Sequence, residues 1–407
     1  MKADDLLSAL YYHTKHVPLA QRPTRLFPTS PTSTPTMSME RRHFIQKGAA
    51  AIAATGVLAG CSSESSTGEA AAVQTRPNVR WRLASSFPRS LDTIYGIAET
   101  LSQRLEQLTD GRFTIRVYPQ GELVPATEIL GSVQTGTIQI GHTASYYYIG
   151  KNEALAFDTC VPFGLTTRQH YGWMLHGGGM ELMRSLFAEY NIVNFLGGNT
   201  GGQMGGWYRR EINSLADLRG IKMRIPGLGG KVMDRLGVSV QVLAGGDIYP
   251  ALERGAIDAT EWVGPYDDEK LGFHDVAGYY YAPGWWEPTA ALSFMVNKEA
   301  YDALPPAYQH ALEVATQMAS LDMMARYDAL NPAAIKRIKD RGIQVRQFSQ
   351  DIMEAAYRAS RELMEETAAS NPQYKRVFDA YDQFRKDSYA WAATNELPFA
   401  EFAYRNT

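Results

Sequence analysis

The alternation of strand and helix patterns over residues 79–142 is the feature that most constrains the fold of this chain. An amphipathic helix that Ser90 or Asp92 can cap ends at Gly111, and a second helix covers 126–134. The segments that alternate apolar and polar side chains as strands do are 80–84, 113–117 and 137–142. This order of elements predicts an α/β fold with a parallel sheet and right-handed crossovers.

The same alternation of strand and helix patterns resumes further along the chain, and the strands that lead to Arg224 and Glu261 are assigned to a second sheet. The predicted strands are 192–196, 221–225, 239–243 and 256–260. Asp247 can cap a short helix that Gly255 ends, and this helix leads directly into the last of these strands. Arg224 and Glu261 therefore belong to successive strands of the second sheet.

The C-terminal third of the chain is mainly helical in pattern. Strands are predicted at 289–297 and 342–346, and helices at 306–338, 351–369 and 374–398. Proline 332 is expected to kink the first of these helices, and Pro398 to end the last. The last helix carries aromatic side chains at intervals along its length. This pattern predicts that the helix packs against another surface, such as that of a second subunit. These aromatic residues are Phe378, Tyr381, Phe384 and Trp391.

The N-terminal region has the composition of a targeting segment. Residues 1–36 differ from the rest of the chain and include a low-complexity run, 28–35. They are interpreted as a non-native or mis-started extension, so that translation begins at Met37 or Met39. Residues 37–61 contain paired arginines, an apolar run and Cys61, and resemble a twin-arginine signal that ends in a lipobox. An unlipidated signal cleaved near this point is the alternative. A flexible tether follows over 62–77.

Composition excludes several classes of protein. The formal net charge is −3, which implies no polyanionic partner such as a nucleic acid. The only two cysteines are Cys61 and Cys160, so the chain has no disulfide framework and no cysteine-based zinc site. Residues 227–232 faintly match a dinucleotide-binding fingerprint, but Val232 stands at its third glycine position. Histidines lack metal-ligand spacing and no nucleophile elbow is present, so no catalytic constellation is visible.

Polar residues at strand ends and in a glycine-rich turn are the candidates for a binding site. Arg224 offers a planar fork that fits a carboxylate, and the alternative is a surface arginine at a sheet edge. Gln203 lies in the glycine-rich turn 197–206, where its carbonyl could bind a hard cation, and the alternative is a solvated turn. Tyr147 follows the third strand and is placed to line the opposite wall.

Two carboxylates stand beside indoles. Glu261 precedes Trp262 at the end of a predicted strand, and could bind a cation or pair with a basic side chain. Glu287 follows Trp285 and Trp286, where a negative charge is costly unless something positive meets it or the carboxyl stays protonated. If these oxygens converge with Gln203, they favour sodium, calcium or magnesium over zinc.

Longer motifs resemble the solute receptors of tripartite ATP-independent periplasmic (TRAP) transporters. Four of these motifs are Pro119-Gln-Gly-Glu122, Gly136-Thr-Ile-Gln-Ile-Gly141, Leu218-Arg-Gly-Ile-Lys-Met-Arg-Ile-Pro226 and Ala251-Leu-Glu-Arg-Gly-Ala-Ile-Asp-Ala259. Three others resemble the subgroup that binds 2-oxo acids or related small carboxylates with a cation. They are Gly201-Gly-Gln-Met-Gly-Gly-Trp207, Ala259-Thr-Glu-Trp-Val-Gly-Pro265 and Pro283-Gly-Trp-Trp-Glu287. Together they extend over nearly all of the chain from about residue 79.

The resemblance implies a two-domain, class II-like periplasmic solute-binding fold with mixed sheets, hinge strands and a long connecting helix. The first domain is assigned to 78–200 and 265–300, and the second to 201–264 and 301–370. The C-terminal helix, 371–407, is expected to be exchanged between the subunits of a homodimer.

The resemblance also implies a role for each candidate residue. Arg224, Gln203, Trp262 and Tyr147 would bind the ligand, a pyruvate-like or lactate-like monocarboxylate. Glu261, Glu287, Gln203 and Trp262 would bind the cation, sodium or calcium, and the receptor would deliver its ligand to TRAP membrane subunits. Two alternatives stay open: a metal-dependent enzyme that acts on a small 2-oxo acid, and an extracytoplasmic sensor.

Overall fold

A computed structural model describes residues 76–406. The predicted extension, the signal and nearly all of the tether lie outside the described residues. Eleven strands are described: β1 Val79–Ser85, β2 Phe113–Tyr118, β3 Ile140–Thr143, β4 Ile192–Asn199, β5 Trp207–Tyr208, β6 Lys222–Arg224, β7 Ser239–Gln241, β8 Ala259–Thr260, β9 Tyr279–Ala282, β10 Ala291–Asn297 and β11 Gln344–Gln347.

Twelve α-helices are described over the same residues. They are α1 Gly96–Leu108, α2 Ile129–Gln134, α3 Ala156–Thr159, α4 Thr167–His176, α5 Gly179–Ala188, α6 Gly227–Arg235, α7 Gly245–Glu253, α8 Pro265–Lys270, α9 Lys298–Asp302, α10 Pro306–Asp340, α11 Gln350–Ser370 and α12 Pro372–Arg405. Within residues 76–406, no helix has both the length and the apolar character needed to cross a membrane.

The strands form two sheets, which confirms the predicted mixed α/β architecture. The five-stranded sheet has the order β2-β1-β3-β10-β4. Its first three strands are parallel, as the alternation of patterns predicts, while β10 runs antiparallel to both of its neighbours. The six-stranded sheet has the order β11-β9-β5-β8-β6-β7.

Two chain segments cross from one sheet to the other. The first crossing segment, 200–206, leads from β4 to β5, and the second crossing segment, 283–290, leads from β9 back to β10. They are bonded to each other, since the Thr200 N–H donates to the Ala290 carbonyl at 3.0 Å and the Gly284 N–H donates to the Gln203 carbonyl at 3.0 Å. Strand β9 belongs to the six-stranded sheet, although it lies in the range 265–300 assigned to the first domain. The domain boundaries themselves stay a prediction.

Several helix ends differ from the sequence prediction. Helix α1 begins at Gly96, and neither Ser90 nor Asp92 caps it; Asp92 instead accepts a hydrogen bond from the Tyr266 hydroxyl at 3.1 Å. Helix α7 begins two residues before Asp247 and has no side-chain cap. The predicted glycine stop is correct, because Gly255 follows this helix with a φ of +70°.

Pro332 and Pro398 both lie inside long helices. The helix end predicted at Pro398 is therefore wrong, whereas the kink predicted at Pro332 stays a prediction. Helix α10 runs continuously through Pro332, and α12 continues past Pro398 to Arg405. An interior proline removes one backbone donor, and the remaining hydrogen bonds of these long helices hold each helix together.

Three of the four aromatic side chains in the stripe of α12 pack within the chain, because Phe384 also packs against the core. Phe378 and Tyr381 are buried, and Phe157 of α3 packs against both of their rings. Tyr381 also makes an edge contact with Trp173 of α4, with ring centroids 5.0 Å apart. The expected need for an outside partner therefore applies only to the distal half of α12, where Trp391 is exposed.

Candidate functional site

Arg224 and Glu261 lie next to each other at the ends of two neighbouring strands, as the sequence predicts. Strands β6 and β8 are parallel neighbours in which Arg224 is opposite Thr260, so Glu261 comes immediately after the paired residue. Arg224 is only 1% exposed, which rules out the alternative of a surface arginine. Its Nη1 donates to the Glu261 carbonyl at 3.0 Å and to the Glu261 carboxylate, and its Nε donates to the Leu243 carbonyl at 3.1 Å.

Gln203 and Glu261 each present a buried oxygen atom that has no donor. The amide nitrogen of Gln203 donates to the Thr200 hydroxyl at 3.0 Å, which turns Oε1 of Gln203 away from that contact. Oε1 of Gln203 and Oε2 of Glu261 are both buried without a hydrogen-bond partner. Buried oxygens are rarely left unpaired, so this pair is suited to a positively charged ligand.

Glu287 lies on the second crossing segment and is 3% exposed. The Tyr146 hydroxyl lies 3.5 Å from its Oε2 atom, at the long limit of a hydrogen bond. Tyr146 belongs to a 3₁₀ turn, Ser145–Tyr148, that follows β3 of the five-stranded sheet. The second carboxylate is therefore placed where the two sheets approach each other.

Trp262 supplies an aromatic wall to the same place. The Arg224 guanidinium lies over its indole, 5.3 Å from the ring centroid. Phe87, which follows β1 of the five-stranded sheet, meets the indole edge to face with centroids 6.2 Å apart. The indole is thus held between a cation of its own sheet and an aromatic ring from the other.

A small cavity lies among these residues, although neither Glu261 nor Glu287 lines it directly. Arg224, Gln203 and Trp262 line it from the side of the six-stranded sheet, and Tyr147 lines it from the other side. All four residues predicted to bind ligand therefore meet at one cavity, although their roles in binding stay a prediction.

Sequence reasoning missed the apolar part of this lining, which Phe87, Ile94 and Leu292 form. Phe87 follows the carboxyl end of β1, which is the same strand-end signal that singled out Glu261. Ile94 and Leu292 were seen only as helix-face and strand residues. Nothing in the sequence separates them from core residues of the same type.

The electrostatics of the site leave it short of positive charge. Burial raises the pKa of Glu261 to about 7, although the Arg224 guanidinium acts to lower it. The pKa of Glu287 is raised well above its usual range, first by burial and then by the negative charge of Glu261. Burial likewise raises the pKa of Tyr147 to about 12. Two buried carboxylates here face one guanidinium, and a bound cation would relieve this imbalance.

The residues at the cavity fit a hard cation. The side-chain oxygens near the cavity belong to the carboxylates of Glu261 and Glu287 and the amide of Gln203, and Oε2 of Glu261 and Oε1 of Gln203 have no hydrogen-bond partner. Oxygen ligands of this kind suit sodium and calcium. Among residues 76–406, no group of three or more His, Cys, Asp and Glu side chains is arranged to hold a metal.

The glycines that faintly matched a dinucleotide fingerprint have a packing role at this site. Gly227 has a φ of +66°, and a Cβ there would lie 3.2 Å from the Tyr146 ring. A Cβ on Gly229 would lie 2.7 Å from the Cβ of Trp286. The glycines therefore let the start of α6 approach two aromatic residues of the site closely.

Two sheets joined by crossing segments, with a cavity between them, are the arrangement of a solute-binding protein. The family model of the bacterial extracellular solute-binding protein, family 7 (DctP), matches residues 84–371. The chain belongs to this family, which confirms the resemblance to TRAP solute receptors.

Three similar proteins carry more specific descriptions. The monocarboxylate 2-oxoacid-binding periplasmic protein of Nostoc sp. (strain PCC 7120) is 49% identical over 365 residues, which cover 90% of this chain and 99% of that protein. A TRAP solute-binding protein of Bordetella bronchiseptica, a dimer with calcium and picolinate in one site and an apo second site, is 50% identical. It superposes with a TM-score of 0.80 over 81% of this chain and 98% of its own.

A third relative holds a different cation. The TRAP solute-binding protein of Pseudoalteromonas atlantica, solved with sodium and pyruvate, is 39% identical, with a TM-score of 0.77. The match covers 80% of this chain and 99% of that chain.

Proposed function

We propose that this protein binds a small 2-oxo or 2-hydroxy monocarboxylate, such as pyruvate or lactate, together with sodium or calcium. The observation that carries the proposal is the fully buried Arg224 guanidinium, which lines a small cavity beside the unpaired oxygens of Gln203 and Glu261. The relatives described as binding 2-oxo acids, or solved with pyruvate and a cation, support it.

In this proposal Arg224 binds the outer edge of the ligand carboxylate through Nη2, because its Nε and Nη1 already donate to Leu243 and Glu261. The cation is bound by Gln203, Glu261, Glu287 and the Trp262 carbonyl, and it also meets the inner carboxylate oxygen and the adjacent oxo oxygen of the ligand. Tyr147 and the Trp262 indole close the cavity around the ligand. A ligand with one carboxylate beside one oxo group can bind both Arg224 and the cation.

The preferred cation depends on the ionisation of Glu287. When Glu261 and Glu287 are both ionised, the ligand adds a third negative charge. Within the described part of the chain, Arg224 is the one positive side chain at the site that balances these three charges, so a divalent ion such as calcium is favoured. With Glu287 protonated, as its burial favours, the balance shifts to sodium. The receptor then delivers its ligand to the membrane subunits of a TRAP transporter.

Calorimetry of chelated, sodium-free protein tests the proposal. Pyruvate, lactate and longer 2-oxo acids are titrated without added cation, then with sodium, and then with calcium. Binding is expected only when one of the cations is present. Binding of equal strength to the cation-free protein would refute the chelate model, and consumption of pyruvate during the titration would favour the enzyme alternative.

We further propose that the protein acts in the periplasm as a homodimer joined through the distal half of α12. Three large side chains there are 60–73% exposed: Trp391, Phe399 and Phe402. Such a cluster is typical of an interaction surface. The variant with Phe399→Ser and Phe402→Ser is expected to be monomeric by light scattering, and an unchanged dimer mass would place the interface elsewhere. Export by a twin-arginine-like signal and lipid anchoring through Cys61 belong to the same proposal.

A further inference from the structure

The second crossing segment is held from outside the cavity by Phe163. The Phe163 N–H donates to the Trp285 carbonyl at 2.8 Å. The rings of these two residues also stack, with centroids 5.4 Å apart and planes 15° from parallel. Trp285 lies two residues before Glu287, so Phe163 fixes the backbone that carries the second carboxylate of the site.

Phe163 adopts a backbone conformation that its side chain disfavours. Its φ is +52°, in the left-handed region that few large aromatic residues occupy. Strain of this kind persists only where surrounding contacts hold it, and it is concentrated at functional sites. The adjacent Gly164 has no room for a side chain, because a Cβ there would lie 2.6 Å from the Val161 carbonyl oxygen.

Helix α12 supplies the contacts that hold this strained turn. The Tyr389 hydroxyl lies 2.6 Å from the Gly164 carbonyl and 3.1 Å from the Phe163 carbonyl, and donates to them. About two turns further towards the start of the helix, Tyr381 accepts a hydrogen bond from the Leu165 N–H at 2.8 Å. The turn at Phe163 and Gly164 therefore links the C-terminal helix to the second crossing segment.

We propose that Tyr389 and Phe163 are positioning residues for the binding site, through which α12 sets the place of Glu287. Neither residue touches the cavity. This inference rests on the proposed function, since the effect on binding needs Glu287 to contribute to the site. The distal part of α12 follows Tyr389 directly, so its packing on a second copy would act on the same contacts.

The variant Tyr389→Phe tests this link with Tyr357→Phe as its matched control. Tyr357 of α11 makes a T-shaped contact with the Phe163 ring, with centroids 5.2 Å apart, and it is about as exposed as Tyr389. Both changes remove only a hydroxyl group. Only Tyr389 uses that hydroxyl to hold the Phe163–Gly164 turn.

Two measurements distinguish positioning from mere stability. Hydrogen exchange in residues 283–290 is expected to be faster in Tyr389→Phe than in the control. Pyruvate affinity at subsaturating calcium is expected to fall about five-fold, the equivalent of one neutral hydrogen bond, with less loss at saturating calcium. Unchanged exchange, or faster exchange with unchanged affinity, would overturn the proposal. If the unaltered protein binds no 2-oxo acid with either cation, the proposed function fails, while the exchange measurement still decides whether α12 holds the segment.

Discussion

Arg224 and Glu261 are joined twice, because one guanidinium nitrogen donates both to the backbone carbonyl and to the carboxylate of the glutamate. The register of β6 and β8 makes this possible, since it places Glu261 one residue past the partner of Arg224. Both side chains are almost fully buried. The pair therefore behaves as one unit, and loss of the arginine would leave a buried carboxylate without its counter-ion.

Replacement of the arginine is expected to remove most ligand binding. In Arg224→Ala the ligand carboxylate loses its partner and Glu261 is left unpaired, at a cost of about 2–5 kcal/mol in binding free energy. Calorimetric titration with pyruvate and saturating cation measures this loss. Arg235→Ala is the control, because it removes a more exposed arginine that pairs with Glu366. Near-normal affinity in Arg224→Ala would place the carboxylate site elsewhere.

The choice of cation is expected to follow the charge at position 203. Gln203→Glu keeps an oxygen at the place of the unpaired Oε1 and adds a negative charge. Calcium should therefore gain affinity relative to sodium, because higher ligand charge favours the divalent ion. Competition between the two ions during pyruvate binding measures this ratio. A ratio that stays at its original value would mean that Gln203 is not a cation ligand.

Much of this site could be predicted because strand ends are visible in a sequence. The brief strand before Glu261 and the strand of Arg224 have clear patterns, and parallel neighbours bring their ends together. For Glu261 the sequence left two interpretations open, a cation ligand or the partner of a basic side chain, and it did not identify Arg224 as that partner. Register within a sheet is set by contacts that a local pattern does not contain.

Contacts between distant parts of the chain could not be predicted. The pattern favoured Asp92 as a helix cap, yet its side chain bonds to Tyr266 and pairs with Lys270, 178 residues away. No sequence pattern predicts the left-handed backbone of Phe163, because contacts with Trp285 and with α12 hold it in that conformation. Local propensity is a weak guide where tertiary contacts decide the conformation.

The ion pair of Asp92 with Lys270 is expected to favour the form in which the cavity is closed. Asp92 follows β1 of the five-stranded sheet, whereas Lys270 ends α8, between two strands of the other sheet. Asp92→Asn should therefore weaken pyruvate binding by up to about five-fold at low salt, with less effect at high salt because salt screens exposed charges. Titrations at two ionic strengths measure both effects.

Asp302→Asn is the control for this ion pair, because it removes a pair with Lys298 within a single helix. The control should bind pyruvate normally at both salt concentrations. Equal losses in the two variants would show that the pair of Asp92 with Lys270 has no special part in closure.

The stability that Asp382 contributes is expected to depend on pH. Burial alone would raise the pKa of Asp382, but hydrogen bonds from Arg385, Lys386 and Arg361 hold it well below its usual range. A carboxylate with a lowered pKa in the folded state stabilises the fold above its ordinary pKa, near 3.8, and loses this effect as the pH falls through the folded value.

Asp382→Asn should therefore lower the Tm at pH 7, and the difference should shrink below about pH 4. Asp382 itself is only 6% exposed, but its partner Lys386 faces solvent, so the loss is about 1 kcal/mol, or roughly 2 °C. Thermal unfolding followed by circular dichroism between pH 7 and pH 3 measures it. Asp379→Asn, which removes an exposed pair with Lys375 on the same helix, is the control and should change little. A difference that keeps its full size at pH 3 would contradict the electrostatic origin of this stabilisation, because at that pH the carboxylate advantage is already falling.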